Sequence, residues 1–125
     1  MKVVRINEPA NFRTALADAL AAHSGRTFVL FFGTEVPSTG VSWCPDCVIA
    51  DPLIRKAVRA VPDSLLVEVP AGQRGDEYRN SPYISDPEIQ LRAVPTLFEW
   101  SKTGPLKKLV EAECADEDLL AKFLA

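Results

Sequence analysis

Two cysteines separated by two residues, Cys44 and Cys47, are the side chains of this sequence best suited to chemistry. They follow a strongly apolar stretch and stand in the run Ser42-Trp43-Cys44-Pro45-Asp46-Cys47, where a helix is predicted to begin. Two thiols on the first turn of a helix can close a short disulfide and open it again. Because a helix N-terminus favours a thiolate, we expect Cys44 to lie exposed and attack disulfides. Cys47, one turn inside, would then resolve the mixed disulfide.

A zinc site is the alternative explanation for a Cys-x-x-Cys pair. Its two further ligands would have to be Cys114 and His23, the third cysteine and the only histidine. Structural zinc sites usually combine two closely spaced ligand pairs, whereas these two residues are scattered over the chain. We therefore expect no metal. Cys114 is expected to be a buried, inert cysteine.

Composition favours a soluble protein that forms one domain over residues 1–125. The chain is 47% hydrophobic and 25% charged, which is ordinary for a globular domain. A net charge of −3 argues against nucleic acid or an anionic membrane as the main partner. The longest apolar run, 28–32, is too short to span a bilayer. The first eight residues lack the apolar core of a signal peptide, and an odd number of cysteines does not form a secreted disulfide framework. We expect a cytoplasmic protein.

The elements that must position the cysteines alternate along the chain. Strands are predicted at 3–6, 27–32, 64–69, 96–100 and 106–110, the last two joined as a hairpin. Helices are predicted between Pro9 and Gly25, over 45–60 with a kink at Pro52, and from about Asp116 onwards. Residues 33–42 form a long loop, and 71–92 form a polar region with at most a short helix. This order predicts an α/β protein with parallel strands followed by an antiparallel pair.

The motifs around these elements resemble the thioredoxin superfamily. They are Trp43-Cys44-Pro-x-Cys47, a proline at position 52, and Val94-Pro95-Thr96 before a strand. The runs 93–97 and 109–114 are more narrowly similar to a small cytosolic, thioredoxin-related branch. The resemblance implies a thioredoxin fold, with a central mixed β-sheet and helices on both faces.

The resemblance also implies a function: disulfide reduction, with the dithiol recharged by thioredoxin reductase. NADPH would then be used only indirectly, and the protein would need no cofactor of its own. The expected substrates are small disulfides such as cystine and selected proteins, and a monomer is expected. The alternative, from another class, is a redox-sensitive binding module that regulates signalling or motor-complex partners.

Further site residues follow from the same resemblance. Pro95 is expected in cis beside the disulfide, with the backbone of Val94 pairing with an extended substrate. The alternative is an ordinary trans proline at a strand start. Trp43 would shield one side of the dithiol, unless it only packs, and Pro45 completes the expected substrate surface.

Two features depart from ordinary thioredoxins. Those proteins place a buried acid under the dithiol, and the matching position here is Leu30. Asp46 is then the only acid that the sequence places near enough for a proton role, although an acid also simply suits the first turn of a helix. The second departure is the loop 34–40, which either restricts large substrates or is a passive insertion.

Overall fold

The computed structural model describes all 125 residues and contains a five-stranded mixed sheet. The strands are β1 (Lys2–Arg5), β2 (Thr27–Phe32), β3 (Leu65–Pro70), β4 (Thr96–Ser101) and β5 (Gly104–Val110). Their order across the sheet is β1-β3-β2-β4-β5. Strands β1 and β2 run parallel to β3, whereas β4 is antiparallel to both β2 and β5. The predicted parallel unit followed by an antiparallel pair is confirmed.

Helices cover both faces of this sheet. They are α1 (Phe12–Ala21), α2 (Pro45–Arg59), α3 (Asp76–Arg79), α4 (Pro82–Ser85) and α5 (Glu117–Leu124), with 3-10 helices at Pro9–Asn11 and Glu111–Ala115. Side chains alternate between the faces along β2. The ring of Phe31 therefore packs against Phe12 of α1, while Phe28 packs against Phe123 of α5 on the opposite face.

The sequence around Cys44 explains why α2 begins where it does. Pro45 occupies the first helical position, where its missing N–H costs nothing. The Cys44 side chain caps the helix, and Asp46 lies in the first turn, where a negative charge suits the dipole. The helix continues through Pro52 to Arg59 without a break. The dithiol therefore stands at the N-terminus of a long helix at the end of β2.

The structure differs from the predicted elements mainly at their ends. Helix α1 stops at Ala21, before Gly25, and the polar region contains two short helices, α3 and α4. Strand β5 begins at Gly104 rather than at 106, so Pro105 pairs with Trp100 inside the hairpin. An edge strand can accept a proline because one side of it has no pairing partner. None of the helices combines the length and the apolar character that crossing a membrane requires.

Candidate active site

Cys44 and Cys47 lie together as free thiols at the start of α2. The backbone N–H of Cys47 donates to the Cys44 sulfur, with 3.2 Å between nitrogen and sulfur. The Cys44 sulfur also lies 3.5 Å from the carbonyl oxygen of Val94. An N–H donor and the helix dipole both suit a sulfur that carries negative charge. This geometry suits Cys44 to the attacking role.

Burial of the first cysteine departs from expectation. Cys44 is 5% exposed and Cys47 is 4% exposed, so the prediction of an exposed Cys44 is wrong. The reason is local packing: Cys44 belongs to the buried cluster against which Trp43 packs, and the Val94 carbonyl oxygen lies 3.5 Å from its sulfur. The two thiols therefore differ in their hydrogen bonds rather than in their exposure.

The surroundings of Cys47 disfavour its thiolate. Its burial and its contact with the Cys44 sulfur raise the pKa of the Cys47 thiol. The backbone N–H of Gly33, 3.5 Å from the sulfur, acts in the opposite direction. Cys47 is thus a protonated thiol at neutral pH, which is the state expected of a resolving cysteine before it attacks.

Trp43 is fixed against the segment that follows β3. Its indole Nε1 donates to the carbonyl oxygen of Gly72 at 2.8 Å, and its ring packs edge-on against Tyr78 with 5.4 Å between centroids. A Cβ at Gly33 would lie 2.7 Å from Cε2 of Trp43 and 3.0 Å from Cβ of Cys44. Only glycine at position 33 therefore allows the indole to pack this closely beside the dithiol.

The Val94–Pro95 peptide bond is cis, as expected. The segment that contains it is held by a backbone hydrogen bond, because the Pro95 carbonyl accepts the N–H of Glu111 at 2.7 Å. The Cys114 sulfur lies 3.6 Å from the same carbonyl and 3.3 Å from that of Leu109. Cys114 is fully buried, and this burial raises its pKa to about 12, so the thiol is protonated and inaccessible.

Pro45 and Asp46 are exposed on the first turn of α2. The Asp46 carboxylate makes no hydrogen bond or ion pair with either cysteine. Its proton-transfer role stays a prediction.

The loop between β2 and α2 is tied down at several points. Glu35 forms an antiparallel bridge with Ser42, and Val36 N–H donates to the Val41 carbonyl at 2.8 Å. The Glu35 carboxylate binds the Arg5 guanidinium through two bonds, of 2.7 and 2.9 Å. Gln73 donates to the Glu35 carbonyl at 2.7 Å. The loop is therefore anchored by several hydrogen bonds beside the dithiol.

A cavity of about 360 Å³ adjoins Cys47 and Leu30 between this loop, α2 and the sheet. Its lining includes the carboxylate of Glu68 on β3. Asp46 is consequently not the only acid near the dithiol, and that part of the prediction is wrong. The sequence shows Glu68 as one acid inside an apolar strand, and the pairing of β3 with β2 is what places it next to Leu30.

Four features define the class of protein to which this chain belongs. They are the sheet order, the helices on both faces, the Cys-x-x-Cys pair at a helix N-terminus and the cis-proline beside it. This is a thioredoxin-fold protein with the dithiol of thiol–disulfide redox chemistry. Residues 8–125 match a family model described as "Thioredoxin domain-containing protein 17-like, thioredoxin domain". The chain belongs to this family.

Curated relatives and solved structures agree with this assignment. The chain is 34% identical over 109 residues to mouse thioredoxin domain-containing protein 17, covering 82% of this chain and 80% of the relative. It is 31% identical over 123 residues to the thioredoxin-like protein Clot of Arabidopsis thaliana, covering 94% and 91%. The crystal structure of thioredoxin NaTrxh from Nicotiana alata superposes with a TM-score of 0.66 at 18% identity, covering 98% and 89%. That likeness confirms the thioredoxin fold.

Proposed function

We propose that this protein is a disulfide reductase in which Cys44 attacks the substrate and Cys47 resolves the mixed disulfide. The observation that carries the proposal is the asymmetric hydrogen bonding of the two thiols. The Cys44 sulfur receives the N–H of Cys47 at the helix N-terminus, whereas burial raises the pKa of Cys47. Since the thiolate is the attacking species, the two cysteines are suited to opposite roles.

The residues around the Cys44 sulfur form the proposed substrate surface. Val94 lies against that sulfur through its carbonyl, and Pro95 follows it in cis. Trp43 stands on the neighbouring side, held by Gly72 and Tyr78. An extended substrate would pair with the backbone of Val94 and contact Trp43, Pro45 and Pro95.

The proposed substrates are small disulfides such as cystine, together with selected protein disulfides. The anchored loop supports this preference. Arg5 and Gln73 hold it beside the dithiol, where it would limit how closely a large protein can approach. Thioredoxin reductase would recharge the disulfide, so NADPH is used indirectly and no cofactor is bound. We propose that the protein works as a cytoplasmic monomer.

The test is NADPH oxidation in the presence of thioredoxin reductase, the protein and cystine. We expect steady consumption that depends on the protein and disappears in Cys44→Ser. Consumption no greater than that of the reductase alone would contradict the proposal. The rival function, a redox-sensitive binding module for signalling or motor-complex partners, predicts partner capture that survives mutation of both cysteines to serine.

A further inference from the structure

The cavity behind the dithiol joins Cys47 to a cluster of charged side chains. Leu30, Cys47 and Pro95 line it together with five charged residues from four parts of the chain. The charged residues are Arg5 of β1, Glu35 of the loop, Asp51 and Arg55 of α2, and Glu68 of β3. With Cys47, they are the titratable groups that line this cavity.

Glu68 is the innermost carboxylate of the cluster. In the sheet it pairs with Leu30 of β2 on one side and with Arg5 of β1 on the other. Its side chain is 14% exposed, compared with 33% for Glu35 and 45% for Asp51. A carboxylate at this depth is costly unless it is paired.

The ion pairs leave part of the Glu68 carboxylate free to accept a proton. Oε2 receives Nη2 of Arg55 at 2.6 Å, whereas the nearest guanidinium nitrogen to Oε1 is Nη1 of Arg5 at 3.5 Å. An ionised carboxylate offers about four acceptor sites, and only these two contacts use them. Oε1 therefore has unused capacity.

The cluster also contains more carboxylates than guanidinium groups. Arg5 is bound through two bonds by Glu35, and Arg55 is bound by Asp51 at 3.0 and 3.1 Å. Each guanidinium thus already has a carboxylate partner, and Glu68 is the third acid for two bases. Arginine does not give up its proton in proteins, so the acceptor must be a carboxylate.

We propose that Glu68 accepts the Cys47 proton, through water in the shared cavity, when Cys47 resolves the mixed disulfide. This role rests on the proposed reductase function and deepens it. A cavity of about 360 Å³ has ample room for water. Leu30 has no group that could take the proton. Glu68 on the neighbouring strand would instead be the acceptor.

The resolving step starts from the mixed disulfide between Cys44 and the substrate. The Cys47 S–H bond breaks, and its proton passes along water to a Glu68 oxygen. The Cys47 thiolate then forms a bond to the Cys44 sulfur, and the bond between Cys44 and the substrate sulfur breaks. The dithiol is oxidised by two electrons, the substrate disulfide is reduced, and the departing thiolate takes a proton from solvent. Glu68 afterwards releases its proton to solvent through the cavity.

A small aromatic disulfide, 5,5′-dithiobis(2-nitrobenzoate), separates the two steps in stopped flow. The first coloured thiol is released when Cys44 attacks, and the second is released when Cys47 resolves. In Glu68→Gln we expect the second phase at pH 7 to slow by about tenfold to a hundredfold, the range of a lost general base. The first phase stays within about twofold. Raising the pH restores the second phase, because hydroxide then deprotonates Cys47.

Asp18→Asn is the control, since it removes an exposed carboxylate on α1 that lies outside this cavity. Both phases should stay within about twofold of wild type, as ordinary surface changes do. If Glu68→Gln does not fold, Glu68→Leu replaces it, because each arginine then keeps one carboxylate partner. That variant should show the same slow, pH-restored second phase.

An unchanged second phase in either folded Glu68 variant overturns the proposal. So does an equal slowing of both phases, which would indicate a structural role for Glu68. Failure of the reductase function itself looks different, because wild-type protein would then support no NADPH oxidation with thioredoxin reductase and cystine, whatever the two phases of the aromatic disulfide show.

Discussion

At the scale of single residues, Cys44 and Cys47 are equally buried and are distinguished by their neighbours. The Cys44 sulfur meets the helix N–H of Cys47 and the carbonyl of Val94. Cys47 faces Gly33 and a cavity that leads to ion pairs. The same Cys-x-x-Cys spacing therefore places one thiol at the proposed substrate surface and the other beside the charged cavity.

Asp46→Asn tests the influence of the acid between the two cysteines. A carboxylate two residues from a thiolate repels it by up to about 1 kcal/mol at the dielectric of water. We therefore expect alkylation of Cys44 by iodoacetamide below neutral pH to become up to about fivefold faster. Iodoacetamide is uncharged, so the change would not reflect attraction of the reagent.

Turnover of cystine by the same variant decides between the two roles of Asp46. Slower turnover despite faster alkylation would indicate that Asp46 takes part in proton transfer. Faster alkylation with unchanged or faster turnover would leave it as an electrostatic brake on Cys44. An unchanged pH dependence of Cys44 alkylation would remove both roles.

At the scale of secondary structure, the end of β2 must pass very close to the start of α2. Gly33→Ala should destabilise the fold by about 1–3 kcal/mol through overpacking, because the new Cβ would meet Trp43 at 2.7 Å. Cystine turnover should fall as well, since Trp43 is displaced from the dithiol. Urea unfolding and NADPH-coupled turnover measure the two effects.

Gly40→Asn provides the control in the neighbouring loop. A Cβ at position 40 would meet nothing within 4 Å, and its φ of 69° is one that Asn tolerates. Its unfolding free energy should change by no more than about 0.5 kcal/mol. Equal loss in both variants would show that the close approach at Gly33 is not the cause.

Deletion of residues 36–40 tests the loop as a barrier to large substrates. The bridge between Glu35 and Ser42 brings the two ends of this segment together, so the shortened loop can still close. We expect kcat/KM for the disulfides of insulin to rise relative to kcat/KM for cystine. An unchanged ratio would identify the loop as a passive insertion.

Much of this architecture could be predicted from local patterns, whereas the charged cluster could not. The apolar run Thr27–Phe32 and the Cys-Pro start of α2 are both readable from neighbouring residues, and both are present. Glu68 carries no such signal. Its partners Arg5 and Arg55 lie 63 and 13 residues away, and only the register of β1 with β3 brings the first of them close. The edge-on packing of Tyr78 against Trp43 likewise depends on how residues 71–79 fold back over the loop.

At the scale of the whole molecule, one partly buried ion pair links the sheet to the C-terminal helix. The Arg26 guanidinium donates to both oxygens of Glu99 on β4, at 2.8 and 3.0 Å, and to the Leu124 carbonyl at 2.7 Å. The hydrogen bonds from Arg26 lower the pKa of the Glu99 carboxyl. Glu99 in an unfolded chain titrates at about 4.3, so it binds a proton there at a pH where the folded protein does not.

Acid should therefore weaken the fold partly through Glu99. Its contribution is complete above about pH 4.3 and is lost as the pH falls through the lower pKa of the folded state. Glu99→Gln should be less stable at pH 6 by about 1–2 kcal/mol, since Arg26 is partly exposed and the pair is screened. Its stability should also decline less steeply than that of wild type between pH 5 and pH 3. Urea unfolding across this range measures both effects, and parallel curves for the two proteins would contradict the assignment.

The central claim, that Cys44 attacks and Cys47 resolves, is tested most directly by trapping the intermediate. Reduced Cys47→Ser and Cys44→Ser are each mixed with cystine, quenched with acid and examined by intact mass and peptide mapping. We expect Cys47→Ser to accumulate one half-cystine adduct on Cys44, because the resolving thiol is absent, and Cys44→Ser to remain unmodified. A faster adduct on Cys47 in Cys44→Ser than on Cys44 in Cys47→Ser would contradict the account.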